Sequence, residues 1–249
     1  MKCTALTYLL FWFSCVAFAE PLKVYGYDLD YRLQPSGEGH YHAFIQALQA
    51  RGVAIDLTVV SLVRALRAME EEPAACNFPA TINAVIRSYP QFANIPLLTG
   101  DPVDAISLRV LTRPEDPVIT DMQQLAGQRV ALWNGLDPDA FLGNVDAVVE
   151  QTPNESVRVR MLDARRLDVI IGFVPDVLVV ADALNLPPPH FAEELALYRD
   201  EGASIVCRVT PENEQALSHF NEVLAEMKRS GELRDILGPF ADIVETVDP

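Results

Sequence analysis

Apolar and polar positions along this chain change period repeatedly, and the changes mark out strand, loop and helix in turn. Leu22 to Tyr25 is a short apolar strand, a loop with Pro35, Ser36, Gly37 and Gly39 follows, and His40 to Ala50 reads as a helix stopped at Gly52. Val53 to Val60 (VAIDLTVV) is a second strand. Ser61 is placed to N-cap a helix running to Met69, on which Leu62, Ala65, Leu66 and Met69 share one face. A third strand begins at Ala74 to Cys76, and a polar loop and a helix-compatible run then carry the chain past Arg87 to Leu98. Such alternation predicts a mostly parallel sheet with helices on both faces.

A second series of the same kind follows the extended run Ala105 to Thr112 (AISLRVLT), which passes into Pro114 and Pro117. Gln128 to Trp133 reads as a strand, and Asp137-Pro138 as a helix start, with aspartate as N-cap and proline at the first helical position. Val157 to Met161 and Leu167 to Gly172 are expected strands, Pro175 to Ala183 an apolar helix, and Ala203 to Val209 a strand returning to the first series. The last helix is expected from Glu212 to Ser230, with Ala216, Leu217, Phe220, Val223, Leu224 and Met227 at helical spacing. No internal repeat or low-complexity segment interrupts this order.

The amino terminus changes the picture by fixing a compartment. Lys2, the apolar run Ala5 to Val16 and the small-x-small Ala17-Phe18-Ala19 predict a signal peptide over residues 1–19, cleaved before Glu20. The run is shorter than the roughly 20 apolar residues of a membrane span. Cys15 lacks the leucine and small residues of a lipoprotein site before it. With the leader gone, Cys76 and Cys207 remain in a disulfide-permissive compartment, each in a strand-like run, and one bridge is expected. The other reading of both is a buried small hydrophobe.

Half of all residues are apolar, enough for a sizeable core. The net charge of −16, with a pI near 4.5, argues against nucleic acid and anionic membrane as partners, since both require a basic face. The one acidic run, Glu70-Glu71-Glu72, reads as a solvated helix end.

The chain resembles the extracytoplasmic (periplasmic) solute-binding proteins of the polar amino acid ABC transporter type. The resemblance rests on LAGQRVALWNG (Leu125 to Gly135), RRLDVIIGFVPDVLVVADAL (Arg165 to Leu184) and the stretch from Ala203 to Phe240. It implies an α/β, two-lobed type 2 periplasmic-binding fold, each lobe a mostly parallel sheet flanked by helices, with two hinge crossings near Ser107 to Leu111 and Tyr198 to Ser204. Lobe 1 is expected over residues 20–109 plus 204–249, and lobe 2 over 110–203. A solute in the cleft would shift the population toward a closed form.

Carried over by residue, the resemblance implies that Arg87 receives a ligand carboxylate, a task its planar fork of donors suits. It places Asn77, Phe78 and Thr81 in a contacting loop, and Tyr27, Asp28 and Tyr31 in the loop after the first strand, which often offers an aromatic platform. The second lobe departs from the pattern twice. Gly135-Leu136-Asp137 stands where Gly-Thr or Gly-Ser usually opens a helix, and Asp137 there would repel a carboxylate. Phe173 stands where an aspartate usually takes the ligand ammonium, and Asp176 comes three residues later. The ordinary α-amino acid site is therefore half missing.

Enzyme chemistry has little purchase here. There is no Gly-x-Ser-x-Gly elbow, phosphate loop or paired-cysteine metal motif. His40 and His42 share a face only on a strand, and two ligands fall short of a zinc set, so one of them is expected exposed and no metal or other cofactor is expected. The expected function is capture of a small polar or carboxylate-bearing solute in the periplasm, other than a standard α-amino acid, for an ABC-type permease. The alternative is a free-standing sensory or accessory relative serving a periplasmic enzyme system. A dehydratase lacks a placeable general acid and base, and a monomer suits a clamp that opens and closes.

Overall fold

The computed structural model describes residues 20–244. The leader expected over residues 1–19, with Cys3 and Cys15, lies outside them. Nine strands and eight α-helices are present among the described residues. In chain order they are β1 (Leu22–Tyr27), α1 (His40–Ala50), β2 (Ile55–Val60), α2 (Leu62–Glu71), β3 (Ala75–Ala80), α3 (Ile82–Ser88), β4 (Leu97–Thr99) and β5 (Asp104–Leu111). There follow β6 (Arg129–Trp133), α4 (Pro138–Leu142), β7 (Val148–Thr152), α5 (Glu155–Asp163), β8 (Val169–Val174), α6 (Asp176–Ala183), β9 (Ala196–Arg208), α7 (Pro211–Ser230) and α8 (Glu232–Leu237).

The strands run in the order β2-β1-β3-β9-β5-β8-β6-β7, with β4 also on β9. Within each end of this array the pairing is parallel: β1 with β2 and β3, and β6 with β7 and β8. Every antiparallel pairing is made by β5 or β9. These two strands join two α/β lobes. β9 pairs with β3 at Ser204 and with β5 at Ala203, so one peptide bond separates its two memberships.

Periodicity explains most elements. On α2 the expected Leu62, Ala65, Leu66 and Met69 are the buried positions, and Ser61 precedes it in extended conformation. On α7, Leu217, Phe220, Val223, Leu224 and Met227 are buried, and Thr210 accepts a hydrogen bond from the Asn213 amide as N-cap. One expected strand is a helix. Val157 to Met161 alternates valine and arginine like a strand, but it lies in helix α5, because Asn154 caps that helix by accepting from the Val157 amide at 3.0 Å. The alternation is not an inside-outside one: Arg158 is fully buried and Val157 only half-buried. The Val148–Thr152 strand escaped notice because it is a solvated edge, exposed at four of its five positions. His40 and His42 are both half-buried, against the expectation that one is exposed, with Gly238 beside the His40 ring and Gly37 beside that of His42.

Three apolar clusters form the interior. One fills the first lobe between its sheet and α1, α7 and α8, around Phe44, Phe78, Phe220 and Leu224. One lies in the second lobe around Leu162, Ile170 and Val177. The third runs through both, joining Tyr27, Leu62, Leu66 and Met69 to Leu108, Leu132, Trp133, Leu136 and Ile171. Cys76 and Cys207 are bonded to each other as a directly paired position of β3 and β9. The bridge therefore ties the crossing strand to its own lobe.

Candidate functional site

The parallel strands of both lobes deliver their carboxyl ends to one place, the position at which open α/β sheets present loops to ligands. Tyr27 ends β1, Ala80 ends β3, Trp133 ends β6, and Phe173 lies next to the end of β8. Pro79, Thr81 and Ala84, with Leu62 and Leu66 of α2, close one side, and Leu136, Ile106 and Asp176 the other. Together they line a cavity of about 60 Å³. Four aromatic residues are among its lining, Tyr27, Tyr41, Trp133 and Phe173. A smaller void of about 10 Å³ adjoins it, sharing Leu29, Trp133, Phe173 and Asp176 and adding Asp28, Asp30, Asn154 and Glu155.

Behind the cavity lies a buried charge cluster. Arg32 is completely buried and donates to Asp176 Oδ1 at 2.8 Å and to Asp104 Oδ2 at 2.5 Å. Tyr41 donates to the same Asp104 oxygen at 3.0 Å, its ring centroid 4.0 Å from the Arg32 guanidinium carbon. The Asp242 amide donates to the other Asp104 oxygen. Burial raises the Asp176 carboxyl above its ordinary value, with the Arg32 charge opposing. A second buried arginine, Arg158, pairs with Glu155 and donates to Thr152 at 3.2 Å.

Several of these contacts cross between lobes. Arg32 of the first reaches Asp176 of the second, and Asp30 accepts from the Ser156 amide at 2.8 Å. Gly135, in the loop after β6, packs on the start of α2. A Cβ there would stand 3.2 Å from Val63 and 3.4 Å from Leu62, at a φ of +101° that favours glycine. The two lobes are therefore in a closed arrangement.

Of the residues singled out in the sequence, Tyr27, Thr81 and Phe173 line the larger cavity, and Asp28 and Phe173 the smaller void. Thr81 caps α3 through the Ala84 amide and shares a hydrogen bond with Tyr198 on the crossing strand. The others are elsewhere. Arg87 is exposed, stacked 4.4 Å from the Phe141 ring centroid, and donates to the Ala140 carbonyl at 2.8 Å. Asn77 is buried under α2, donating to the Ala65 carbonyl, and Phe78 packs edge-on against Tyr41 in the first-lobe core. Asp137 caps α4 through the Asp139 amide, and Tyr31 is an exposed residue of positive φ. Sequence reasoning missed Tyr41, Trp133 and Asp176 as lining and Arg32 and Asp104 behind them. Trp133 and Asp176 lay inside quoted motifs; nothing local marked Arg32 or Asp104.

No protein-family model matches the sequence, and no curated protein does. Solved structures match over most of the chain. A GluR0 ligand-binding core from Nostoc punctiforme in complex with L-glutamate aligns with a TM-score of 0.67 at 15% identity, covering 87% of this chain and 97% of its own. This chain has the type 2 periplasmic-binding fold. An ancestral arginine-binding protein bound to arginine aligns at 0.63 and 15% identity, covering 88% and 97%. A histidine kinase sensor domain with similarity to periplasmic binding proteins aligns at 0.63 and 16%, covering 91% and 99%. Solute-binding and sensor modules thus share the architecture of this protein.

Proposed function

We propose that this protein is an extracytoplasmic solute receptor that closes its two lobes on a small solute and presents it to an inner-membrane permease of the ABC type. The observation that carries the reading is the cavity at the converging strand ends, walled by residues of both lobes and spanned behind by the two crossing strands. Residues 20–109 with 204–249 form one jaw and residues 110–203 the other. The solute is not a standard α-amino acid. Arg87 points away from the cavity and Asp137 satisfies its own helix start, so neither offers a carboxylate site. The disulfide suits a compartment outside the cytoplasm, and binding without chemistry suits a cavity walled largely by hydrocarbon.

A second reading has one specific observation in its favour. Arg32 already bridges the lobes to Asp176, so the protein's own side chain holds the clamp shut. That suits a sensory or accessory module without a permease. Small-angle scattering and thermal shift against a library of amino acids, organic acids, amines and small aromatics test the first reading. A ligand that raises Tm and narrows the range of lobe separations supports the receptor; no Tm change with any compound refutes it in favour of the accessory role.

A further inference from the structure

We infer that the solute is a small alkylammonium cation, held in a cage of aromatic rings with carboxylates at one end. The inference rests on the receptor reading above and names the ligand class of the same cavity. Its first support is size. The cavity of about 60 Å³ suits a small solute.

The second support is the sign of the charge. No lysine, arginine or histidine lines either void. The carboxylates of Asp28, Asp30, Asp104, Glu155 and Asp176 stand in or directly behind their walls, against two guanidinium groups, Arg32 and Arg158. Both guanidiniums are committed, Arg32 to Asp104 and Asp176, Arg158 to Glu155. The excess is negative, in a region from which most water is excluded, so an anion is repelled and a cation drawn in.

The third support is an unmatched group. Glu155 lines the smaller void with its side chain only 10% exposed, and its Oε1 is buried without a hydrogen-bond partner. A buried carboxylate oxygen in that state costs free energy until a donor or a cation reaches it. Gly172 makes the room for it: a Cβ there would stand 2.4 Å from Oε1.

The walls decide between cations. A strongly hydrated inorganic ion needs a shell of oxygen ligands, and no group of three metal-binding side chains is present among the described residues. The cavity is instead lined by the aromatic residues Tyr27, Tyr41, Trp133 and Phe173 and by Leu62, Leu66 and Leu136. Aromatic faces attract an ammonium whose charge is spread over alkyl carbons, and they ask for no N–H donors in return.

Isothermal calorimetry on the mature protein with tetramethylammonium, its neutral counterpart of equal atom count tert-butanol, and acetate tests the inference. Tetramethylammonium is expected to bind at least tenfold more tightly than tert-butanol, and acetate not at all. Phe173→Leu and Glu155→Gln are each expected to weaken tetramethylammonium about tenfold, with circular dichroism and Tm reporting an intact fold. Equal binding of tert-butanol, or unchanged affinity in both folded variants, overturns the ammonium assignment. If acetate or another carboxylate binds and tetramethylammonium does not, the assignment fails while the receptor reading stands. If no compound of any class binds, both fail.

Discussion

Replacing Arg32 by methionine tests whether the buried ion cluster holds the lobes together. Arg32, Asp104 and Asp176 lie in the interior, the first two with no accessible surface, and Arg32 donates to the two acids through 2.5 and 2.8 Å hydrogen bonds. Methionine matches the arginine stem in length, so the change removes the guanidinium with its charge, its hydrogen bonds and its stacking on Tyr41. Removing one partner of a buried ion pair costs about 3–5 kcal/mol, because the remaining charge stays desolvated. With a urea m-value of about 3 kcal/mol/M for a chain of this size, the midpoint should fall by about 1–2 M.

The sign of the pH dependence follows. Burial already raises the Asp176 carboxyl against the Arg32 charge; without Arg32 it titrates higher still in the folded state than in the unfolded chain, so the folded variant holds extra protons and its stability falls as pH rises. The penalty measured by urea melts should therefore shrink between pH 7 and about pH 4.5. Arg32→Lys, which returns the charge but not the two-pronged geometry, should recover part of the loss. A midpoint shift under about 0.3 M at pH 7, or a penalty equal at both pH values, would refute the cluster's role.

Two further outcomes are expected. The Cys76–Cys207 bond closes 131 residues, and loop-closure entropy assigns it about 5 kcal/mol, so the Cys76→Ala, Cys207→Ala protein should lose about 2–5 kcal/mol in chemical denaturation. Two free thiols in the denatured, unreduced native chain would contradict the bond. Asp168 is held at about 2, chiefly by its hydrogen bond from Arg129, against an ordinary 3.8. Its stabilisation is therefore present above about pH 4 and lost as pH falls toward 2. Because the Arg129 and Asp168 side chains are 48% and 28% exposed, solvent screens the pair and Asp168→Asn should cost about 1 kcal/mol or less at pH 7. A larger loss, or one that persists at pH 2, would contradict the assignment.

Much of the fold was legible in the chain because burial of a helix or strand face writes a period into the sequence. The His40 to Ala50 helix, the Leu62, Ala65, Leu66 and Met69 stripe and the Asp137-Pro138 helix start all follow from local rules, and the structure contains each. The strand expected at Val157 to Met161 failed because alternation carries information only when one side is solvent, and Arg158 is buried.

The site was less legible. Residues brought together by crossing strands have no common period, and a family pattern transfers positions without saying which way a side chain turns. Arg87 lies between Ala84 and Ser88, which line the cavity, but on another face of α3, where it stacks on Phe141. Arg32 and Asp176 meet across 144 positions of sequence, and nothing local to either predicts the other. What the sequence determined by itself was the alternation of strands and helices, the pairing-competent cysteines and an acidic, apolar-rich chain. Tertiary structure alone decided that four aromatic residues from different elements line one cavity and that the buried Glu155 carboxylate borders the void beside it. A cavity is a property of surfaces from different elements meeting, and only the folded chain brings them into contact.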